Sequence, residues 1–274
     1  MNNQKISAVI IDTYPNKTLP KLAIEKTLEC GKIGKVYTFS DQPYFNGAEF
    51  VQIPEITDVE QYSSLMIDSL INYVHEDFIV IQWDGFVLNP RKWSDEFLNY
   101  DYIGAPHLRD GEKMSVGNGG FSFRTQKLMH AIKKIPHAID MPEDFLICHR
   151  HRHELEQLGV KFPHLPLASR FSYQEGPVSL SADELFGFHG PWNFPKFFTE
   201  NFLMPFAKEI IERTLNFIIL TLYLEECKNQ SMHSLFFESI DSINRTPKTI
   251  ELIDVFFRNK IYGGWAERFI KVMN

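Results

Sequence analysis

Short apolar runs alternate with longer stretches of helical spacing through the first half of the chain. Residues 6–11 are largely apolar and end at Asp12-Thr13. Residues 19–30 carry Leu22, Ile24 and Leu28 at helical intervals before Gly31, a helix stop. Residues 35–39 predict a second strand, ending in Ser40-Asp41, and residues 50–53 a short third one. Thr57, with Glu60 three positions on, predicts the cap of a helix reaching about residue 74, with Tyr62, Leu65, Met66, Leu70 and Ile71 along one stripe. The uninterrupted apolar run Phe78-Ile79-Val80-Ile81 requires cover on both faces, which predicts a central strand over residues 78–82. This order of elements predicts an α/β fold with a mostly parallel central sheet flanked by helices and right-handed crossovers.

Farther on, residues 93–98 predict a short helix, Tyr102-Ile103-Gly104-Ala105-Pro106 a strand end, and residues 108–115 a polar, mobile loop containing Asp110-Gly111. A strand resumes over residues 119–123, and Thr125 caps a helix to about residue 135. Pro142 fits the first position of a helix running to residue 158, with Glu143 and Asp144 in its first turn. Phe162 and residues 168–173 predict short strands. The pattern changes at Phe198, where a Phe-rich, helix-like tail begins, broken around Asn229-Gln230 and residues 244–247. We therefore expect an α/β domain over residues 1–198 and a helical C-terminal extension over 199–274.

Composition narrows the class. A chain of 274 residues that is 44% hydrophobic, with 24 Phe and 10 Tyr, can bury a sizeable core. A net charge of −7 argues against nucleic acid as a partner. Three scattered cysteines, Cys30, Cys148 and Cys227, suit a reducing compartment with neither a disulfide framework nor a thiolate metal cluster. The polar N-terminus lacks a signal-peptide pattern, and the longest membrane-like run, residues 217–224, falls far short of the roughly 20 residues a bilayer needs. The expectation is a cytoplasmic protein without a transmembrane segment. Its Phe-rich tail leaves peripheral contact with the inner membrane face open.

Candidate chemistry gathers at the predicted strand ends. Gln82-Trp83-Asp84-Gly85-Phe86 delivers one carboxylate to the tip of the central strand, where α/β proteins present metal or substrate ligands; a turn-capping Asp would look the same. His189, in Phe186-Gly187-Phe188-His189-Gly190, suits a closing ligand or a buried structural histidine equally. Gly117-Asn118-Gly119-Gly120 lacks dinucleotide-binding spacing, but its glycines admit close approach of a bulky ligand and Asn118 can bond hydroxyls; a glycine-rich hairpin is the plain alternative. Glu143-Asp144 sits where amide dipoles favour the ionised form a proton acceptor needs, although first-turn capping explains the pair as well. Asp12, Thr13 and Asp41 end the first two strands at the edge where nucleotides usually lie. The run His149-Arg150-His151-Arg152-His153 spreads over several helix faces and reads as a solvated surface.

Together these segments resemble a family of glycosyltransferase-like proteins known as a domain of unknown function, DUF5672, itself similar to inverting glycosyltransferases of the A-type fold. The resemblance rests on Gln82-Trp83-Asp84-Gly85-Phe86 and on Trp93 followed by Asp101-Tyr102-Ile103-Gly104-Ala105-Pro106. It continues through Val116-Gly117-Asn118-Gly119-Gly120-Phe121-Ser122-Phe123-Arg124, Pro142-Glu143-Asp144-Phe145 and Phe186-Gly187-Phe188-His189-Gly190, covering residues 6–195. It implies a glycosyltransferase A-like (Rossmann-like) catalytic domain that moves a sugar from a nucleotide-sugar donor, a UDP-sugar first among them, to a glycan, glycolipid or protein-linked acceptor. Asp144 is implied as the catalytic base, with Glu143 beside it. Mn2+ or Mg2+ is implied between Asp84 and His189, although Gln82 replaces the first Asp of the usual Asp-X-Asp. Asn118, Gly119 and Gly120 would shape the sugar pocket. Asp12, Thr13 and Asp41 would meet base and ribose, and Arg109 or Lys113 would close over phosphate. The competing expectations are a sugar nucleotidyltransferase, from which the glycine-poor Thr13-Tyr14-Pro15-Asn16-Lys17 departs, and a non-enzymatic carbohydrate-binding or nucleotide-binding protein.

Overall fold

The computed structural model describes residues 5–109, 113–175, 180–214 and 216–243, and of residues 108, 109, 113, 114, 217 and 218 the backbone alone. Two compact units divide the chain, Met1–Gly190 and Pro191–Asn274.

The first unit opens with β1 (Ile6–Ile11), α1 (Thr18–Leu28), β2 (Ile33–Ser40), β3 (Glu49–Gln52), α2 (Val59–Ser64), β4 (Phe78–Val80) and β5 (Gly85–Val87). It continues through β6 (Tyr102–Ile103), β7 (Pro106–Arg109), β8 (Lys113–Val116), β9 (Ser122–Arg124), α3 (Gln126–Ile132), α4 (Glu143–Phe145), α5 (Arg152–Gln157), α6 (Leu165–Phe171), β10 (Ser172–Tyr173) and β11 (Gly187–His189). Six strands form the central sheet in the order β3-β2-β1-β4-β9-β6. β1 runs parallel to β2 and to β4, and β2 to β3, while β9 lies antiparallel to both β4 and β6. The sheet is therefore mostly parallel and Rossmann-like, as the alternation of apolar runs predicts.

The strand order has a functional consequence. The chain leaves β1 toward β2 on one side and returns to β4 on the other, so the crevice beyond the carboxyl ends of β1 and β4 is a topological switch point. Because β9 runs the opposite way, its amino end lies on this same rim. Phe78, Ile79 and Val80 are essentially inaccessible, as central cover on both faces requires. One face packs Val9, Phe39, Phe78 and Val80 against Met66, Leu70 and Val74. Each such side chain contributes about 1.5–3 kcal/mol on burial.

Several local predictions are corrected. Asp58, not Thr57, caps α2, its carboxylate accepting from the Gln61 N–H at 2.8 Å. The helix then tightens and loosens through a π turn at Leu65–Ser69 and a 3-10 turn at Leu70–Asn72. Pro142 occupies the cap position of α4, which passes after three residues into a π turn, Leu146–Arg150. Residues 108, 109 and 113–115, expected within a loop, lie on β7 and β8, where Arg109 pairs with Lys113 in antiparallel register; Asp110 and Gly111 lie outside the described residues. Residues 168–171, expected as strand, are helical: Pro166 sits in the first turn of α6, and the His164 ring accepts from the Leu167 N–H at 3.2 Å. Thr125 does cap α3, through the Leu128 N–H.

The second unit is helical over its described residues: α7 (Phe194–Phe197), α8 (Glu200–Leu203), α9 (Ala207–Arg213), α10 (Phe217–Asn229) and α11 (His233–Ser242). Its first turn starts at Pro191, ahead of the change in pattern at Phe198. The break at Asn229-Gln230 is present, whereas the one at residues 244–247 lies outside the described residues. No helix among the described residues is long and apolar enough to cross a membrane.

Candidate functional site

Asp84 stands at the apex of a two-residue turn. Gln82 and Gly85 exchange backbone bonds of 2.8 and 3.0 Å, so the chain reverses from β4 straight into β5. A second sheet, β10-β11-β5, then brings His189 opposite Gly85 in the antiparallel register of β11 with β5. That register places Nε2 of His189 3.7 Å from Oδ1 of Asp84. Gln82 joins them: its Nε2 donates to the Tyr62 hydroxyl at 2.9 Å, which turns its Oε1 to within 3.1 Å of His189 Nε2. The other ring nitrogen, Nδ1, lies 3.2 Å from Gln174 Oε1. Two side chains far apart in sequence thus meet through the pairing of β11 with β5.

Asp144 reaches the same rim through two glycines. Its Oδ2 accepts from the Gly119 N–H at 2.9 Å and its Oδ1 from the Phe145 N–H at 2.8 Å. A Cβ on Gly119 would overlap Oε1 of Glu143 and stand 3.1 Å from Cβ of Asp144. A Cβ on Gly120 would overlap the His189 ring and stand 2.8 Å from Gln82 Oε1. Asp144 meets Gly119 and His189 meets Gly120, so one peptide separates the Asp144 carboxylate from the His189 imidazole. Gly120→Ala should consequently lower stability by about 1–3 kcal/mol through overpacking, read from urea denaturation. Wild-type stability in that variant would mean that His189 and Gln82 give way freely.

Electrostatics separate the two adjacent carboxylates. Glu143 is buried and paired with Arg124 at 2.6 Å, and Arg124 is wholly inaccessible, held also by Ser122 at 3.0 Å and stacked 5.3 Å from the Tyr102 ring. Burial, then the charge of Glu143, push the Asp144 carboxyl up to about 7 against the opposing pull of the Gly119 N–H and Arg124. This corrects the expectation that a helix start would simply favour the charged form: a three-residue α4 offers little dipole, and desolvation outweighs it. A proton acceptor tuned near neutrality works best at neutral pH.

The other predicted residues are engaged locally. Asn118 is buried, its Oδ1 accepting from the Gly120 N–H at 3.1 Å and its carbonyl from the Tyr102 hydroxyl at 2.8 Å, so its side chain shapes the glycine turn. Asp12 and Asp41 end β1 and β2 side by side as expected, and both contact the buried Lys17, at 3.3 and 3.2 Å. Thr13 accepts from the Ile56 N–H at 3.0 Å, tethering the segment after β3. The side chains of Arg109 and Lys113 lie outside the described residues.

The donors suit a divalent ion. Nε2 of His189 faces two oxygens, a contact satisfied either by a proton on that nitrogen or by a cation in its place, with Gln174 orienting the ring from behind. One carboxylate, one amide oxygen and one imidazole match a Mn2+-like preference better than an all-oxygen Mg2+ shell. Among the described residues no group of three His, Cys, Asp or Glu side chains gathers to hold a metal, so water or a ligand's oxygens would complete the shell. Sequence reasoning missed Gln82 as a donor and gave no role to Arg124, the last residue of the glycine-rich segment that carries the family resemblance. An arginine two positions into a buried strand was the available signal.

Comparison with known proteins adds a family. "Protein of unknown function (DUF5672)" matches residues 47–189, more than half of the chain. No curated protein matches the sequence. Among solved structures, a glycosyltransferase involved in the glycosylation of the major capsid of PBCV-1 is 13% identical, with 67% of this chain and 92% of that one covered and a TM-score of 0.45. The bifunctional IspDF from Campylobacter jejuni is 11% identical, with 58% of this chain and 48% of that one covered and a TM-score of 0.36. A 4-diphosphocytidyl-2C-methyl-D-erythritol synthase is 10% identical, with 58% and 86% covered and a TM-score of 0.33. Likenesses this distant decide neither fold family nor activity.

Proposed function

Because the chain belongs to the DUF5672 family, whose description leaves its chemistry open, we propose from its own residues that it is an inverting glycosyltransferase of the A-type fold. One observation supports this above all others: only the Gly119–Gly120 peptide separates the carboxylate of Asp144 from the Asp84–His189–Gln82 group at the sheet's switch point. A nucleotide-sugar has the matching layout, with a diphosphate at one end of the reacting bond and the sugar carbon at the other.

In this reading Asp144 takes the proton from an acceptor hydroxyl as that oxygen attacks the anomeric carbon. The bond from that carbon to the diphosphate oxygen breaks, and its electron pair leaves with the nucleoside diphosphate. Asp84, His189 and Gln82 Oε1 would hold Mn2+ or Mg2+, which supplies charge neutralisation to the diphosphate. Gly119 and Gly120 let Glu143 and His189 pack close to the backbone beside the sugar, and Asn118 keeps their turn in shape. Glu143, held by Arg124, raises the proton affinity of Asp144 through its nearby charge. Asp12, Thr13 and Asp41 flank the base and ribose, and Arg109 or Lys113 meets phosphate. The acceptor is a glycan, glycolipid or protein-linked sugar, and the setting is the cytoplasm or the inner face of its membrane.

Binding tests this reading first. With Mn2+ present, a nucleoside diphosphate should raise the melting temperature of the wild type by stabilising the native state, and that rise should vanish in Asp84→Asn. A panel of nucleoside diphosphates that leaves the melting temperature unmoved, with and without Mn2+ or Mg2+, would end it.

A further inference from the structure

A groove runs beside α2, where the partly buried edges of two cores face each other. Ile53, after β3, and Leu65, in the π turn, border the core on the α2 face of the sheet, while Ile139 borders the core built around Leu128, Ile132 and Leu146. These three and Ile56 are half-buried and line a cavity of about 500 Å³, a volume typical of small-molecule sites. Two of its polar neighbours are engaged locally: Gln61 Oε1 accepts from the Thr57 N–H at 3.0 Å, and the Ser64 hydroxyl reaches Asp68 at 3.4 Å. Among the described residues that line it there is no Lys, Arg or His, and Glu60 stands at its side. A phosphate or carboxylate would find no counter-charge there, whereas an uncharged hydrocarbon loses nothing by entering.

Each wall of this groove is joined to the candidate site. The Ile56 N–H donates to Thr13 Oγ1 at 3.0 Å, beyond the carboxyl end of β1. Gln61 and Ser64 lie on α2 to either side of Tyr62, whose hydroxyl accepts from Gln82. Burial pushes the Tyr62 phenol up, and the charges of Glu143 and Asp144 push it further, so this turn of α2 also borders both carboxylates. Ile139 precedes Asp144 by five residues, in the segment that enters α4. The groove is thus continuous with the rim on which Asp144 stands.

We propose that the groove holds the uncharged hydrocarbon portion of the acceptor, with the acceptor hydroxyl extending to Asp144. This rests on the transfer reading and narrows its acceptor to one class, a glycolipid. A free glycan carries no such chain, and a protein-linked sugar brings peptide amides for which this apolar lining has few partners.

Calorimetric titration of the full-length protein, with Mn2+ and UDP present, against methyl, butyl, hexyl and octyl β-glucosides below their micelle concentrations tests the assignment. Affinity should rise with chain length, about fourfold for each methylene buried, and octyl β-glucoside should saturate at one equivalent. Leu65→Gln and Ile139→Gln, at half-buried positions bordering the two cores, should each weaken octyl β-glucoside binding at least about tenfold and flatten the dependence on chain length, with circular dichroism reporting the intact fold. Equal affinity for the methyl and octyl glucosides would overturn the assignment, as would octyl β-glucoside binding that persists unchanged in both variants. The melting-temperature rise with nucleoside diphosphate and Mn2+ separates this inference from the transfer reading. That rise without octyl β-glucoside binding removes the glycolipid and keeps the transfer. Octyl β-glucoside binding without the rise removes the acceptor role, since no donor then meets the chain.

Discussion

Replacing Asp144 by Asn should lower kcat for sugar transfer by about 10^2–10^4-fold, the usual contribution of a positioned general base. The amide keeps the size of the carboxylate and can still accept from the Gly119 N–H, so donor binding should remain close to wild type. The pH profile carries a sharper expectation. Asp144 ionises near 7 because burial and Glu143 oppose its charge, so wild-type kcat should rise with pH through that region and level off above it. In Asp144→Asn that rising limb should be gone. The same group bears on stability with a definite sign. A carboxyl raised in the folded state holds a proton that the unfolded chain releases near pH 4. Its contribution to stability is therefore present at low pH and is lost as pH climbs through about 7. Steady-state rates and urea melts across pH 5 to 9 read both effects, and near-normal turnover in Asp144→Asn would remove the base role.

Arg124→Met should destabilise the fold by about 3–5 kcal/mol, because it strands the Glu143 carboxylate in a buried site without its partner. Glu143→Gln alone should also be costly, leaving a wholly buried guanidinium uncompensated. The double variant Arg124→Met/Glu143→Gln should recover part of the loss, since neither charge then remains, and a double-mutant cycle measures that recovery. The Glu143→Gln protein offers a second readout. Without the neighbouring negative charge, the Asp144 carboxyl should ionise at lower pH and the rising limb of the rate profile should shift downward. Simple additivity of the two single losses would show that the pair does not act as a unit.

The residues that carry the site were unevenly legible in the sequence. Asp84 stood out because an apolar run ends abruptly in a carboxylate, although a turn-capping Asp would look the same, and the parallel sheet followed from the same runs. His189 gave little local signal. It reaches Asp84 through the pairing of β11 with β5, a long-range register that no short pattern encodes. Gln82 read as the loss of a metal ligand, yet the Tyr62 hydroxyl orients its amide so that an oxygen still faces His189. The pairing of Arg124 was invisible because buried charge follows from a partner found elsewhere, here Glu143, and not from neighbours in sequence. The helix over residues 165–171 was misread because its cap is a histidine, a residue seldom credited with that role. The proton affinity of Asp144 inverted the expectation from helix dipoles, since it depends on how much protein covers the carboxylate.

Proton NMR of α-configured sugar nucleotides incubated with the wild-type protein and Mn2+ tests the account most directly, because one spectrum reports donor consumption and the anomer formed. The account predicts release of nucleoside diphosphate from at least one donor and a β-configured product, both abolished in Asp84→Asn and Asp144→Asn. Persistence of every donor, or a product that keeps the α configuration, would contradict it.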